Sequence, residues 1–290
     1  MQNVYICTMT TTEIISLIRA ELKGLYEPKE LESITRALME DVLHYSPVDT
    51  VLRGDFEQDD IFADKIRAMT LRLKQSEPLQ YVLGHAPFHG HDFKVTPATL
   101  IPRPETERMV DMIADENEGS DLQVLDMGTG SGCIAISLAR ALKFAQVTGI
   151  DVSAEALQVA LENARNLKAE VRWEQKDMLT LQPQEEVYDI IVSNPPYVCE
   201  SERRIMEPNV LRHEPAAALF VPDGDPLKFY KAIAGFAIVS LKRGGKLYLE
   251  INQRFGTEMR QLLEEKRFTE VRILNDQYGQ VRYAIATRPA

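Results

Sequence analysis

Val124-Leu125-Asp126-Met127-Gly128-Thr129-Gly130-Ser131-Gly132 is the stretch that decides the fold of this chain. An apolar strand runs into three alternating glycines, and Cys133 to Leu142 then repeats apolar residues at helical spacing. Glycine lets the backbone turn sharply and lets a ligand approach where a Cβ would collide, while the helix start offers free N–H groups. Downstream, the same order of strand, turn and helix recurs. It predicts strands at Gln123 to Met127, Gln146 to Ile150, Val171 to Glu174, Val187 to Ser193, Lys246 to Ile251, Glu270 to Leu274 and Val281 to Ala286. Helices are expected at Cys133 to Leu142, Ala154 to Leu167, Leu227 to Leu241 and Thr257 to Lys266. That alternation is the pattern of an α/β, Rossmann-like domain, a parallel sheet covered by helices.

The glycine bend and the end of the next strand together point to a nucleoside cofactor. Asp151 closes that strand, where doubly wound folds place an acidic side chain to accept hydrogen bonds from ribose hydroxyls. A nicotinamide dinucleotide wants glycines as G-x-G-x-x-G around its pyrophosphate, but Cys133 stands at the third of those positions. Gly128, Gly130 and Gly132 instead give G-x-G-x-G, which suits the methionine tail of S-adenosylmethionine. Glycines that merely make a tight turn are the plainer explanation, and the acids Asp126 and Asp151 weigh against it.

Asn194-Pro195-Pro196-Tyr197 follows directly on the strand ending at Ser193, at a carboxyl end of the sheet, where open α/β folds bind ligands. Two prolines stiffen the backbone and remove N–H groups. The Asn194 side-chain oxygen and the Pro195 carbonyl are thereby suited to accept hydrogen bonds from one NH2 group. Such a clamp fits a delocalised amide or exocyclic amine, a poor nucleophile that needs positioning more than a strong base. Tyr197 would cover the flat face of that group.

Outward from this core, the first part, to about Gln75, repeats apolar residues at helical spacing around Ile14 to Leu22, Leu31 to Leu43 and Ile61 to Leu73. Pro28 and Pro47 fall between these runs, which predicts a small helical bundle. From Pro78 to Pro104 the texture turns to Gly, Pro and aromatic residues and reads as a hairpin linker. The expected domains are thus a helical domain over 1–77, a linker over 78–104 and a catalytic domain over 105–290. Val198 to Pro226 is too long for a simple connection and is a candidate lid over the substrate.

Composition sets bounds around these motifs. The chain has 290 residues, a formal net charge of −11, 44% apolar residues and no apolar run long enough to span a bilayer. Its acidic balance would repel a polyphosphate backbone, so a nucleic acid is disfavoured as direct substrate. Cys7, Cys133 and Cys199 are far apart and have no histidines at metal-ligand spacing, which predicts a reducing, cytoplasmic setting and no metal. Met1 to Thr12 does not read as a secretion signal, and Met9 is an alternative start.

Together with Gln80-Tyr81-Val82-Leu83-Gly84, Phe88-His89-Gly90 and Ile101-Pro102-Arg103-Pro104-Glu105-Thr106-Glu107, the two motifs make nearly the whole chain resemble the HemK/PrmC family of release factor glutamine methyltransferases. The resemblance implies a seven-stranded methyltransferase sheet and a helical N-terminal domain that docks the protein substrate. It implies an enzyme, expected to act as a monomer, that methylates the glutamine of the release factor Gly-Gly-Gln motif and leaves S-adenosylhomocysteine. Carried over by position, Gly128, Thr129, Gly130, Ser131, Gly132, Asp151, Asp177, Met178 and Asn194 serve the cofactor, and Asn194 to Tyr197 the glutamine. Met178 departs from the aromatic residue of some members, though its thioether can still cover a purine face. Phe88, Arg103, Glu105 and Asp126 are secondary candidates near the pocket, Arg103 and Glu105 being equally suited to an ion pair. A ribosomal protein glutamine, or an exocyclic amine of a nucleic-acid base, remains the alternative substrate.

Overall fold

The computed structural model describes residues 8–290, so a start at Met1 and the thiol of Cys7 lie outside the described residues. Two compact units emerge: the N-terminal stretch to Gly84 with Pro208–His213, and His85–Glu207 with Glu214–Ala290. Residues 78–104, which read as one linker, fall on both sides of that division.

In the first unit β1 (Met9–Thr10), α1 (Thr11–Leu22), α2 (Pro28–Leu43), α3 (Pro47–Leu52), β2 (Glu57–Gln58), α4 (Asp60–Lys74) and α5 (Leu79–Leu83) follow one another. Local chemistry sets the helix starts. Thr10 and Glu13 cap each other's backbone at α1, Ser46 and Asp49 do the same at α3, and Asp59 caps α4. Pro28 and Pro47 stand at first helical positions, where a missing N–H costs nothing. Ile14, Ile18 and Leu22 then pack on Ile34, Leu38 and Val42 and on Ile66, Met69 and Leu73, one apolar stripe from each long helix. Arg72 pairs with Glu77 and donates to the carbonyls of Tyr81 and Val82, satisfying orphan acceptors at the end of α5.

The second unit opens with an antiparallel hairpin, β3 (His85–Phe88) and β4 (His91–Lys94), pinned by an edge-to-face pair of Phe88 and Phe93 at 5.7 Å. Next comes α6 (Pro104–Glu116), a helix absent from the sequence reading because Pro102 and Pro104 hide its start. Its buried residues Thr106, Met109, Val110, Met112 and Ile113 nevertheless keep helical spacing. The remaining elements up to the catalytic rim are β5 (Gln123–Met127), α7 (Cys133–Ala141), β6 (Gln146–Asp151), α8 (Ala154–Leu167), β7 (Val171–Gln175) and β8 (Tyr188–Ser193). A segment with β9 (Val198–Cys199), α9 (Pro208–His213), α10 (Ala216–Leu219) and β10 (Phe220–Val221) leads to α11 (Lys228–Ser240), β11 (Leu241–Glu250), α12 (Gly256–Glu265), β12 (Thr269–Asn275) and β13 (Val281–Thr287).

Seven strands form one sheet in the order β12-β13-β11-β8-β5-β6-β7, parallel except for the pairings made by β13. Alternate strand residues feed opposite faces. Val124, Ile190 and Val192 join the layer of α6 and α7, whereas Leu125, Met127 and Ile191 join that of α11 and α12. No helix of the described residues is long and apolar enough to cross a membrane.

Gly149 on β6 shows how tightly this sheet packs beside the glycine bend. A Cβ there would lie 2.4 Å from Cζ3 of Trp173 and 3.0 Å from Oγ1 of Thr129. Gly149→Ala should therefore destabilise the fold by about 1–3 kcal/mol through overpacking against a rigid indole, read as a lower Tm. An unchanged Tm would show that Trp173 yields at no cost.

Candidate active site

Chain order forces two loops together. β5 leads outward to β6 and β7, and β8 then returns to the other side of β5, so the order reverses between β5 and β8. A crevice opens at the carboxyl ends of strands at such a point. Asp126 pairs with Val192 in register, and the Ser193 hydroxyl donates to the carbonyl of Met127 at 2.5 Å. Gly128 and Asn194 are consequently the first residues beyond two locked neighbouring strands.

Between them lies a cavity of about 460 Å³, lined by residues of the second unit alone. Its walls include Gly128, Thr129, Gly130, Ser131, Asp151, Asp177, Met178, Asn194, Pro196 and Arg103, all singled out from the sequence. Six other singled-out residues do not line it. Phe88 is in the core against Phe93, and the Glu105 carbonyl accepts from the Tyr283 hydroxyl. Pro195 is buried behind the rim. The Gly132 α-carbon faces Trp173, Ala160 and Ile136, each within 3.1 Å of a notional Cβ, so this glycine serves helix packing. Asp126 is enclosed beneath the bend, and the Tyr197 hydroxyl turns to Glu250 at 3.0 Å.

All three bend glycines have positive φ, 79° at Gly128, 56° at Gly130 and 80° at Gly132, a region costly for other residues. Asp151 holds this bend directly. Its Oδ2 accepts from the Gly130 N–H and its Oδ1 from the Ser153 N–H, both at 2.9 Å. Asn163 of α8 braces the same bend, donating to the Ser131 carbonyl at 2.9 Å while exchanging bonds with the backbone of Lys94. The Ser131 hydroxyl is buried at the cavity wall beside the Cys133 thiol and has no nitrogen or oxygen partner among the described residues.

Opposite the bend, the Asn194 Nδ2 donates to Thr106 Oγ1 at 3.2 Å. Thr106 donates onward to Glu250 Oε2 at 2.7 Å, and Tyr197 donates to Glu250 Oε1 at 3.0 Å. Burial pushes the Glu250 carboxyl above the usual range, against the pull of its two donors and of Arg282. Thr106, part of the Arg103 to Glu107 stretch expected near the pocket, had no role of its own from the sequence, and Glu250 was not singled out. The available signal was a lone acid ending the apolar strand Leu247-Tyr248-Leu249-Glu250. Arg103 and Glu214 form an ion pair at the cavity, and Glu214 Oε2 also accepts from the Ile101 N–H at 3.2 Å. Glu214 thus ties the candidate lid to the rim, and Asn252 ties its other end by donating to the Tyr197 carbonyl at 3.0 Å.

Asp126 is fully enclosed, with Oδ2 accepting from Thr129 at 2.6 Å, the Ala135 N–H pulling weakly on the carboxyl, and Oδ1 without a well-formed hydrogen bond among the described residues. Burial raises its carboxyl to about 7, chiefly because the anion is stripped of water. A raised folded-state value means that this group favours the fold below the ordinary carboxylate range and loses that contribution as pH climbs to about 7. Asp126→Asn should gain roughly 2 kcal/mol on the native protein between pH 5 and pH 7, measured by denaturant unfolding, and no more above that. A pH-independent difference would contradict the buried neutral carboxyl.

Comparison with known proteins places this geometry in a family. A methyltransferase domain model matches residues 118–265, and a PrmC N-terminal domain model matches residues 13–84. A release factor glutamine methyltransferase of Bacteroides thetaiotaomicron is 42% identical, covering 95% of this chain and 99% of that one. One from Flavobacterium psychrophilum is also 42% identical, covering 90% and 93%. Among solved structures, a methyltransferase from Pyrococcus furiosus shares the fold at a TM-score of 0.52 and 16% identity, covering 77% of this chain and 99% of its own. The chain belongs to the family of release factor glutamine methyltransferases.

Proposed function

We propose that this chain transfers a methyl group from S-adenosylmethionine to the side-chain nitrogen of the glutamine in the Gly-Gly-Gln motif of peptide chain release factors. The observation that carries this reading is that Asn194 and the Gly128 to Ser131 bend face one cavity across the β5–β8 switch. Relatives named for that activity favour a release factor over a ribosomal protein or a nucleic acid. The proposed setting is the cytoplasm, where release factors act, and a single chain suffices to line the cavity.

The cavity fits the cofactor on its own chemistry. Gly130 meets nothing within 4 Å of a notional Cβ and so leaves the wall open to close approach, and the buried Ser131 hydroxyl, with only the weak Cys133 thiol beside it, offers a donor or acceptor to a ligand's polar tail. Asp151 spends one lone pair of each oxygen on the loop and keeps others for ribose hydroxyls. Met178 and Phe229 supply apolar wall. When bound, the cofactor supplies an electrophilic sulfonium methyl. The protein's own part is to hold the substrate NH2. Asn194 Oδ1 is the proposed acceptor, drawing off positive charge as the amide nitrogen takes the methyl from the sulfonium and releases a proton to solvent. Arg103, paired with Glu214, closes the rim against water.

Asn194→Ala should lower methyl transfer to a release factor by about a hundredfold or more while cofactor affinity, by calorimetry, changes little. Loss of cofactor binding instead would remove Asn194 from the substrate clamp. Asp151→Ala should weaken cofactor binding by roughly 1.5–3 kcal/mol, since a charged acceptor and a loop brace go together. Unchanged affinity would exclude Asp151 from the site.

A further inference from the structure

Asn194 can present its amide in two ways, and only one suits a clamp. With Oδ1 towards the substrate it accepts from an NH2 group; flipped by half a turn it offers a second donor to a donor, which repels. In the structure Nδ2 is the branch bonded to Thr106, and Oδ1 makes no hydrogen bond to the protein among the described residues.

The hydrogen-bond chain behind Asn194 decides between these orientations. A hydroxyl has one proton, so Thr106, by donating to Glu250 Oε2 at 2.7 Å, can only accept from Asn194. As a carboxylate, the form that Arg282 favours, Glu250 accepts on both oxygens, from Thr106 at Oε2 and from Tyr197 at Oε1. The flipped amide would set Asn194 Oδ1 against the Thr106 oxygen. Thr106 would then have to withdraw its proton from Glu250, leaving a fully enclosed carboxylate oxygen without its donor. A buried unpaired charge of that kind is costlier than the hydrogen bond gained.

Fold position explains why these residues meet. β11 runs parallel beside β8 with Leu249 paired to Ser193, so Glu250 and Asn194 are the next residues along two neighbouring strands. Thr106, in the first turn of α6, inserts between them with its side chain buried.

We propose that Thr106 and Glu250 are positioning residues that fix the amide orientation of Asn194, setting its oxygen, and not its NH2, towards the substrate nitrogen. This rests on the reading of Asn194 as the substrate clamp. Thr106 lines the cavity wall and Glu250 lies behind it, and in this proposal each acts through a proton direction, from Asn194 to Thr106 to the Glu250 carboxylate. Thr106→Val keeps the shape and removes both halves of the relay, Thr106→Ser keeps the relay, and Glu250→Gln removes the charge that commits it.

The test is steady-state methylation of a release factor by the wild type, the three single variants and the Thr106→Val/Glu250→Gln double variant, with cofactor affinity measured by calorimetry on each. Thr106→Val should lower kcat by about tenfold to a hundredfold with cofactor Kd within about threefold of wild type, the pattern of a lost transition-state interaction. Thr106→Ser should restore kcat to within about threefold, and Thr106→Val/Glu250→Gln together should be no slower than the slower single variant, as residues acting in one chain are non-additive. A Thr106→Val protein with wild-type kcat, one that loses cofactor binding in step with kcat, or a Thr106→Ser protein no better than Thr106→Val overturns the proposal. Should Glu250→Gln fail to fold, the threonine pair decides alone. Wild-type protein inactive on every release factor would instead overturn the function, not the relay.

Discussion

Parallel pairing of β5 with β8 is the constraint on which the site depends. The two strands lie next to each other in space although β6 and β7 separate them in sequence, and the pairing of Asp126 with Val192 fixes their ends to the residue. A slip of one residue would exchange the two faces of β8, sending Ile191 to the wrong helical layer and Asn194 away from the glycine bend. Register is therefore held by the apolar packing of both layers. The substrate clamp and the cofactor bend inherit that precision without a loop having to supply it.

Two enclosed acids sit beneath the rim, and they differ in kind. Glu250 has a donor for each oxygen and a cation, Arg282, nearby, and these oppose burial without overcoming it. Asp126 has one strong donor, Thr129, and only a weak pull from the Ala135 N–H besides, and its carboxyl rises to about 7. Buried polar groups that are fully satisfied specify one arrangement, whereas half-satisfied ones store cost that sites tend to use. Asp151, by contrast, is half-exposed and spends its bonds on the bend itself, so a residue expected to serve only the ribose also shapes the cradle.

Much of this was legible in the sequence, and for physical reasons. Seven strands and four of the five long helices that cover the sheet were readable because each carries its own period and punctuation, and β5 and α8 match to the residue. Ten of the singled-out side chains line the cavity because motif residues at strand ends must converge there once the chain order reverses. What escaped was whatever depends on contacts distant in sequence. α6 was hidden by prolines, Gly132 could not be told from its two neighbours without Trp173 to face, and Thr106 and Glu250 lie 144 residues apart. Tyr197 likewise read as a cover for the substrate because nothing in the chain announces the carboxylate that its hydroxyl finds.

One measurement bears most directly on the claim that a flat NH2 is methylated between Asn194 and the glycine bend. A release factor is incubated with the protein and S-adenosylmethionine, digested, and its peptides mapped by tandem mass spectrometry. The expected result is one added methyl, on the side chain of the glutamine in Gly-Gly-Gln and nowhere else. A methyl group on any other residue, or none on a release factor while a ribosomal protein or nucleic acid is modified, would contradict it.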